Sequence, residues 1–348
     1  MTGRRVGLLI VAAIVVILLG LWLSSRKNAN PETLAGQPVL KTLQSQLNEV
    51  TEVRVSRGDG SRVTLKKQPS GWTVAEREYP ADAGKVRKLL IDLSSLSTVE
   101  AKTSDPTKYS MLGVEDVTAP TASGTRIELV TPEKVAGVIV GKTSGMKSGY
   151  VRATDAKQSL LATPQITAEA DPKRWIDTTL VDIPEARIKE VEVTPASGPS
   201  YRVTREKKEQ TDFTVTGVPK GRELSSPSAA NPVAGELAML SLTDVRKVPA
   251  DAPAKPERAV FRTFDGAEIT IQGVKDGERH FISLAPVSSA KETAAEVSTL
   301  DARAKGWQFE IPAYKYDGLF KPLEDLLKKP EAKAAATKKA AGADQQAQ

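Results

Sequence analysis

The feature that most constrains this chain is an internal repeat. Thr51-Glu52-Val53-Arg54-Val55 is matched by Lys189-Glu190-Val191-Glu192-Val193, and Trp72-Thr73-Val74 by Phe213-Thr214-Val215. Val138-Ile139-Val140-Gly141 falls on Thr270-Ile271-Gln272-Gly273 under a shift of 132, which also takes Trp175 to Trp307, whereas the earlier positions shift by 138 to 141. A period of about 135 is too long for a stacked solenoid repeat. It implies two tandem domains of one fold, with internal loops of different length.

Each repeat reads as α+β: a mostly antiparallel sheet covered by one main helix. In the first, Val53 and Val55 alternate with polar residues, Arg57-Gly58-Asp59-Gly60 turns the chain, and Val63 and Leu65 alternate on the return. Trp72–Val74 gives a third strand. Asp82 then caps a helix with Val86, Leu89, Leu90, Leu93 and Leu96 on one stripe. Strands follow at Arg126–Val130, Val138–Val140 and Tyr150–Ala153, and Trp175 closes the repeat. The second has the same order: Val191 and Val193, Tyr201 and Val203, Phe213–Val215, then a helix capped by Asn231 with Pro232 in its first turn and Val233, Leu237 and Leu240 on one face. Ala259–Phe264, Glu268–Ile271 and His280–Leu284 are its later strands, and Trp307 closes it. A helix carrying Phe320, Leu323, Leu326 and Leu327 ends the body.

Ahead of the repeats, Val6 to Leu23 is free of charge, long enough for a helix that nearly crosses a bilayer core. Trp22 sits at one interface, and Arg4, Arg5, Arg26 and Lys27 flank the run. A cleaved signal peptide is the competing reading. The apolar run exceeds the usual h-region, and no small-x-small site follows Leu23, which favours an uncleaved anchor. The two flanks are nearly balanced in charge, and the short N-terminal side takes the cytoplasmic place. The expected organisation is a cytoplasmic stub (1–5), a transmembrane anchor (6–23), a linker and short helix (24–48), repeat 1 (49–185), repeat 2 (186–327) and a disordered Ala/Lys tail (328–348). The body is expected outside the cytoplasm, periplasmic on the inner membrane of a Gram-negative cell.

Composition removes several function classes. There is no cysteine and only one histidine, which excludes disulfide scaffolds, thiolate metal sites, cysteine nucleophiles and multi-histidine metal centres. The net charge of +6 lies at the membrane flanks and in the tail, which leaves the body near neutrality and argues against nucleic acid.

The motifs that could carry chemistry dissolve in context. Gly141-Lys142-Thr143 lacks the glycine that a phosphate loop needs, since Ala136 stands there and a strand precedes it. Arg57-Gly58-Asp59 reads as a hairpin turn. His280 lies in a strand without a Gly-x-Ser-x-Gly elbow anywhere in the chain. Asp105, Asp182 and Glu185 are acidic residues at element ends, with no spacing that pairs them. Trp72, Trp175, Trp307 and Phe213 recur between the repeats and are expected in the core. No catalytic, cofactor or metal-binding residue is assigned.

Ser70-Gly71-Trp72-Thr73-Val74 before Tyr79-Pro80-Ala81-Asp82, the leucine helix, Tyr109-Ser110-Met111-Leu112-Gly113, Val138–Gly141 and Gly149-Tyr150-Val151 together resemble domain of unknown function 4340, a bacterial family. The Tyr109–Gly113 stretch is similar to that family's tyrosine–glycine–leucine segment, with an insertion and a swapped order. Genes of the family often lie beside those of gliding-type ABC transporters. The resemblance therefore implies an envelope accessory protein and not a known enzyme, with transporter or auxiliary membrane subunits as partners, and it transfers no catalytic residue; no cofactor is expected. Two other functions stay open. An envelope glycan or peptidoglycan binder requires an exposed aromatic cluster, and a carboxylate hydrolase requires two acids converging in a pocket.

Overall fold

The central strand of each unit is a short run of alternating valines, and the rest of each sheet is laid out from it. The computed structural model describes Ile17 and residues 34–41, 43–250 and 256–329. The expected anchor apart from Ile17, its flanks Arg4, Arg5, Trp22, Arg26 and Lys27, and the tail beyond Lys329 lie outside the described residues. Among the described residues no helix is long and apolar enough to cross a membrane. The chain divides into two units, Met1–Thr178 and Thr179–Gln348, so the second unit starts ahead of the expected position 186.

In the first unit, β1 (Glu52–Arg57) buries Val53 and Val55 completely and turns its intervening residues outward. It pairs antiparallel with β2 (Arg62–Gln68) on one side and β6 (Thr125–Val130) on the other. Val63, Val55, Ile127 and Val138 thereby form one buried row across four strands, Val138 coming from β7 (Val135–Ser144). The hairpin between β1 and β2 is the turn expected of Gly-Asp-Gly: Gly60 adopts φ +87° and the Asp59 carboxylate accepts from the Ser61 N–H at 2.9 Å. Beyond β2 lie β3 (Gly71–Val74) and β4 (Tyr79–Pro80), and beyond β7 lie β8 (Ser148–Ala153), β9 (Ser159–Thr163) and β5 (Ser97–Ala101). The strand order is β4-β3-β2-β1-β6-β7-β8-β9-β5. The chain enters through a short helix, α1 (Leu43–Gln46), after residues 36–39 have bonded along β5, with Gly36 N–H to Thr98 O at 2.8 Å and Val39 N–H to Leu96 O at 2.9 Å. Helix α2 (Ala83–Ser94) is capped as expected, the Asp82 carboxylate accepting from Lys85 N–H at 3.0 Å, and it buries Val86, Leu89, Leu90 and Leu93.

The second unit reproduces this ladder. β11 (Ile188–Thr194) buries Val191 and Val193 between β12 (Tyr201–Thr204) and β16 (Glu257–Thr263). With β13 (Thr214–Thr216), β15 (Asp244–Lys247), β17 (Ala267–Asp276), β18 (Arg279–Ser288) and β19 (Trp307–Glu310), the order is β13-β12-β11-β16-β17-β18-β19-β15. That is the first sheet strand for strand without β4. Both units are mostly antiparallel sheet with few helices. A small separate pair joins β10 (Thr179–Val181) to β14 (Leu240–Ser241).

Pairing corrects the expected repeat alignment at two places. Ile127 lies opposite Val138 and its counterpart Ala259 lies opposite Ile271, so Val138 corresponds to Ile271 and not to Thr270. Beyond the last paired residues, Val130↔Val135 and Arg262↔Glu268, the second connection holds one residue more than the first, and a one-residue error in register exchanges the buried and exposed faces of a strand. Trp175 and Trp307 are not equivalent either. Trp175 ends a 3-10 turn (Pro172–Arg174) after β9, whereas Trp307 opens β19, the counterpart of β9.

The helices also differ from expectation. The expected helix from Asn231 is a single turn, α4 (Asn231–Ala234), which passes into a 3-10 turn (Gly235–Leu237) and then β14. Asn231 is its first residue and not its cap. The side-chain oxygen accepts from Phe213 N–H at 3.2 Å and the amide donates to Thr211 O at 3.0 Å, which ties down the loop before β13. The long helix of this unit is α5 (Lys291–Ala304), between β18 and β19. It buries only Thr293, Val297 and Ala304, a stripe too narrow to be seen as periodicity. At the end of the body, α6 (Ala313–Leu319) stops before Pro322, and Leu323–Leu326 form a 3-10 turn; Phe320, Leu323, Leu326 and Leu327 are nonetheless all buried.

In the first unit α3 (Tyr109–Leu112) lies directly on β7. A Cβ on Gly141 would run into the Leu112 carbonyl oxygen and come within 2.8 Å of that of Gly113. Both obstacles are backbone. Gly141→Ala is therefore expected to destabilise the protein by about 1–3 kcal/mol in urea unfolding. Gly149→Ala, whose Cβ would meet only Lys142 O at 3.6 Å, is expected to change stability by under about 1 kcal/mol. Equal effects would show that α3 does not sit on β7 in this way.

Candidate functional site

Two concavities carry most of the chemistry, one in each unit. In the second unit a cleft of about 610 Å3 lies where the 3-10 turn Gly235–Leu237, the start of β16, β17 and α6 come together. Glu236, in the 3-10 turn after α4, points its carboxylate at Gly318 of α6, where any Cβ would collide with it. Lys315 Nζ stands 3.4 Å from that carboxylate and donates to Ala238 O at 3.2 Å. Burial raises the Glu236 pKa above its ordinary 4.5, against the opposing pull of Lys315 and Lys321. Glu257, at the start of β16, accepts from the Tyr316 hydroxyl at 3.1 Å. Burial, followed by the Glu257 charge, pushes the Tyr316 phenol well up. The Tyr316 ring lies between His280, at 5.0 Å, and Phe320, at 4.7 Å. Lys275 reaches over it to Asp317 at 3.5 Å. Glu236 and Glu257 are thus two carboxylates on one cleft in unlike environments, the arrangement acid–base chemistry uses. Each is also already engaged, Glu236 by Lys315 and Glu257 by Tyr316. Sequence reading missed this site because its members come from four elements far apart in the chain.

In the first unit a cavity of about 490 Å3 lies between the outer face of α2 and residues 165–175. Leu89 and Trp175 form its floor. The Trp175 indole N–H is committed to Glu169 O at 2.7 Å.

The aromatic residues expected in the core divide. Trp175 and Phe213 are buried, Phe213 beneath the Arg205 guanidinium at 4.6 Å. Trp72 on β3 and Trp307 on β19 are only half-buried, and the Lys247 ammonium stands 3.5 Å over the Trp307 ring. Lys142 of the Gly-Lys-Thr stretch lies within β7 and donates to Met111 O at 3.0 Å. Asp105 caps a 3-10 turn by accepting from Thr107 N–H, and Asp182 accepts from Met239 N–H at 2.9 Å. Glu185 offers its backbone carbonyl to Arg205 at 2.6 Å. None of these three acids lines either concavity. Among the described residues no group of three or more His, Asp or Glu could hold a metal ion.

A pair of buried arginines had no signal in the sequence. Arg152 on β8 donates to Val114 O at 2.9 Å, Ala156 O at 3.1 Å and Asp116 at 2.6 Å, and lies 4.7 Å over the Tyr109 ring. Arg205 donates to Ile188 O at 3.0 Å, Gln210 O at 3.3 Å and Glu185 O. Both are 4–5 % exposed.

A family model for a domain of unknown function, DUF4340, matches residues 72–259, and the chain belongs to that family. The match opens at Trp72 in β3, runs past the division after Thr178 and closes at Ala259 in β16. Comparison with curated proteins gives no match. The residues behind the resemblance serve packing. Gly71 takes φ +125° at the entry to β3, Tyr79 is 1 % exposed, and Gly113 ends α3 at φ +71° over the buried Tyr109.

Two outcomes follow. Arg152→Ala strands the carbonyls of Val114 and Ala156 and is expected to cost about 2–4 kcal/mol in chemical unfolding. A loss below about 0.5 kcal/mol would show that water replaces the guanidinium freely. Glu236 binds its proton more tightly in the folded chain than in the unfolded one. Stability should therefore fall as pH rises from about 4.5 through the raised pKa, and level off above it. Glu236→Gln should remove that fall when unfolding is compared from about pH 4 to about pH 7. Identical pH profiles for the two proteins would refute the burial effect.

Proposed function

We propose that this chain is a single-pass inner-membrane protein, anchored by residues 6–23, whose two units stand in the periplasm as a non-enzymatic accessory or scaffold of an ABC-type transport or envelope assembly system. The observation that carries the reading is the doubled open sheet. Among the described residues of the second unit, β13 pairs only with β12 and β15 only with β19, so each end of that sheet offers a strand edge to a partner. The engaged state of the cleft carboxylates supports a binding role over turnover. The anchor would hold both units close to membrane subunits and raise their effective concentration there. A glycan platform loses support because Trp175 is buried and its indole N–H is already bonded, while a carboxylate hydrolase draws its support from Glu236 and Glu257 on one cleft.

The test is crosslinking and affinity capture of the full-length protein from its own membranes, with a chain lacking residues 1–25 as control. Transporter or auxiliary membrane subunits should be recovered with the anchored form only. Recovery of peptidoglycan or glycan by the soluble body would move the function to polymer binding, and release of glycan fragments abolished by Glu236→Gln or Glu257→Gln would make it a hydrolase.

A further inference from the structure

The first-unit cavity presents charged groups that its own fold leaves unused. Its floor, Leu89 and Trp175, is apolar and buried. Two of its cations are engaged. Lys88 pairs with Asp92 at 2.5 Å, while Lys85 stands 3.6 Å from Asp82 and donates to Arg174 O at 3.1 Å. The Arg174 guanidinium and the Glu169 carboxylate line the same cavity, and among the described residues neither has a side-chain partner. They do not pair with each other either. The exposed rim thus holds one free positive and one free negative group above an apolar floor, in a space of about 490 Å3, within the range of small-ligand sites (roughly 300–1,000 Å3).

A simple anion would satisfy Arg174 but face Glu169, and a simple cation would meet the reverse conflict. A neutral apolar molecule would fill the floor and leave both charges partly desolvated, which is unfavourable. The ligand that meets all three demands carries both charges on an apolar body. We propose that this cavity binds a small zwitterion of the class of apolar α-amino acids or short apolar peptides, with its carboxylate on Arg174, its ammonium on Glu169 and its side chain on Leu89 and Trp175. The planar fork of arginine suits a carboxylate, and both contacts are charge-assisted. The accessory role neither requires nor predicts this binding, so either can fail without the other.

Trp175 supplies the readout. The full-length chain, in detergent micelles and labelled with 15N at tryptophan, would be titrated with L-phenylalanine, following the Trp175 indole N–H resonance. A saturable shift of that resonance is expected, with those of Trp72 and Trp307 unmoved. 3-Phenylpropanoate, which lacks the ammonium, and 2-phenylethylamine, which lacks the carboxylate, should each bind about ten-fold more weakly or worse. Arg174→Gln and Glu169→Gln, both at exposed positions, should each weaken L-phenylalanine by about ten-fold while leaving the unfolding midpoint in place. Absence of a saturable shift at about 10 mM ligand (a Kd weaker than the millimolar scale), equal binding of the two singly charged analogues, or unchanged affinity in both variants would overturn the proposal.

Discussion

Burial of one face of the central strand is the interaction on which each unit depends. β1 and β11 are each paired on both sides, so their register sets two ladders at once. Val53, Val55, Val191 and Val193 are all 0 % exposed. Full burial of a valine stabilises by about 1.5–3 kcal/mol relative to leaving it in water. A slip by one residue would turn these valines outward on both sides and forfeit that gain, along with the rows that continue through Leu65 and Leu129 or through Val203 and Phe261. The rest of each sheet is added to this pair of ladders.

The two units share the ladder and differ in what covers and pins it. The first relies on α2 with its leucine stripe, and the second on α5, which occupies a different connection and buries a narrower face. Helix α5 is held partly by charge. Arg187 bonds both oxygens of Glu296, at 3.0 and 2.9 Å, and reaches Asp265 in the β16–β17 turn at 2.9 Å. Each unit also contains a buried arginine resting on an aromatic ring and holding backbone carbonyls of an irregular segment, yet Arg152 lies on β8 and Arg205 follows β12. Where the chain departs from regular pairing, its carbonyls need donors, and a guanidinium supplies several from one side chain.

Elements with strong alternation or a capped leucine stripe were legible in the sequence: α2, and the strands β1, β2, β3 and β6 with their counterparts in the second sheet. Those that escaped had weak local signals. β5, β9 and β15 are short and become strands because neighbouring strands pair with them. The stripe of α5 consists of a threonine, a valine and an alanine. The alignment of Trp175 with Trp307 failed because a shift that holds across β6 and β16 does not survive a helix inserted between β18 and β19. Neither concavity was legible. Glu236 and Glu257 line one cleft because the 3-10 turn after α4 and the start of β16 both border α6, and Arg174 and Glu169 share a cavity with Leu89 because a turn after β9 folds back on α2.

The apolar N-terminal run, the doubled antiparallel α+β body, the exclusion of cysteine and multi-histidine chemistry and the DUF4340 family could all be read along the chain. These properties follow from residue type and local period, which are written along the chain. Which helix packs on the second sheet, how the repeats align residue for residue, and which charged side chains are paired and which stand free over an apolar floor emerge in the folded chain alone. Those outcomes depend on distances between residues far apart in sequence, and on the desolvation that packing imposes once the ladders have closed.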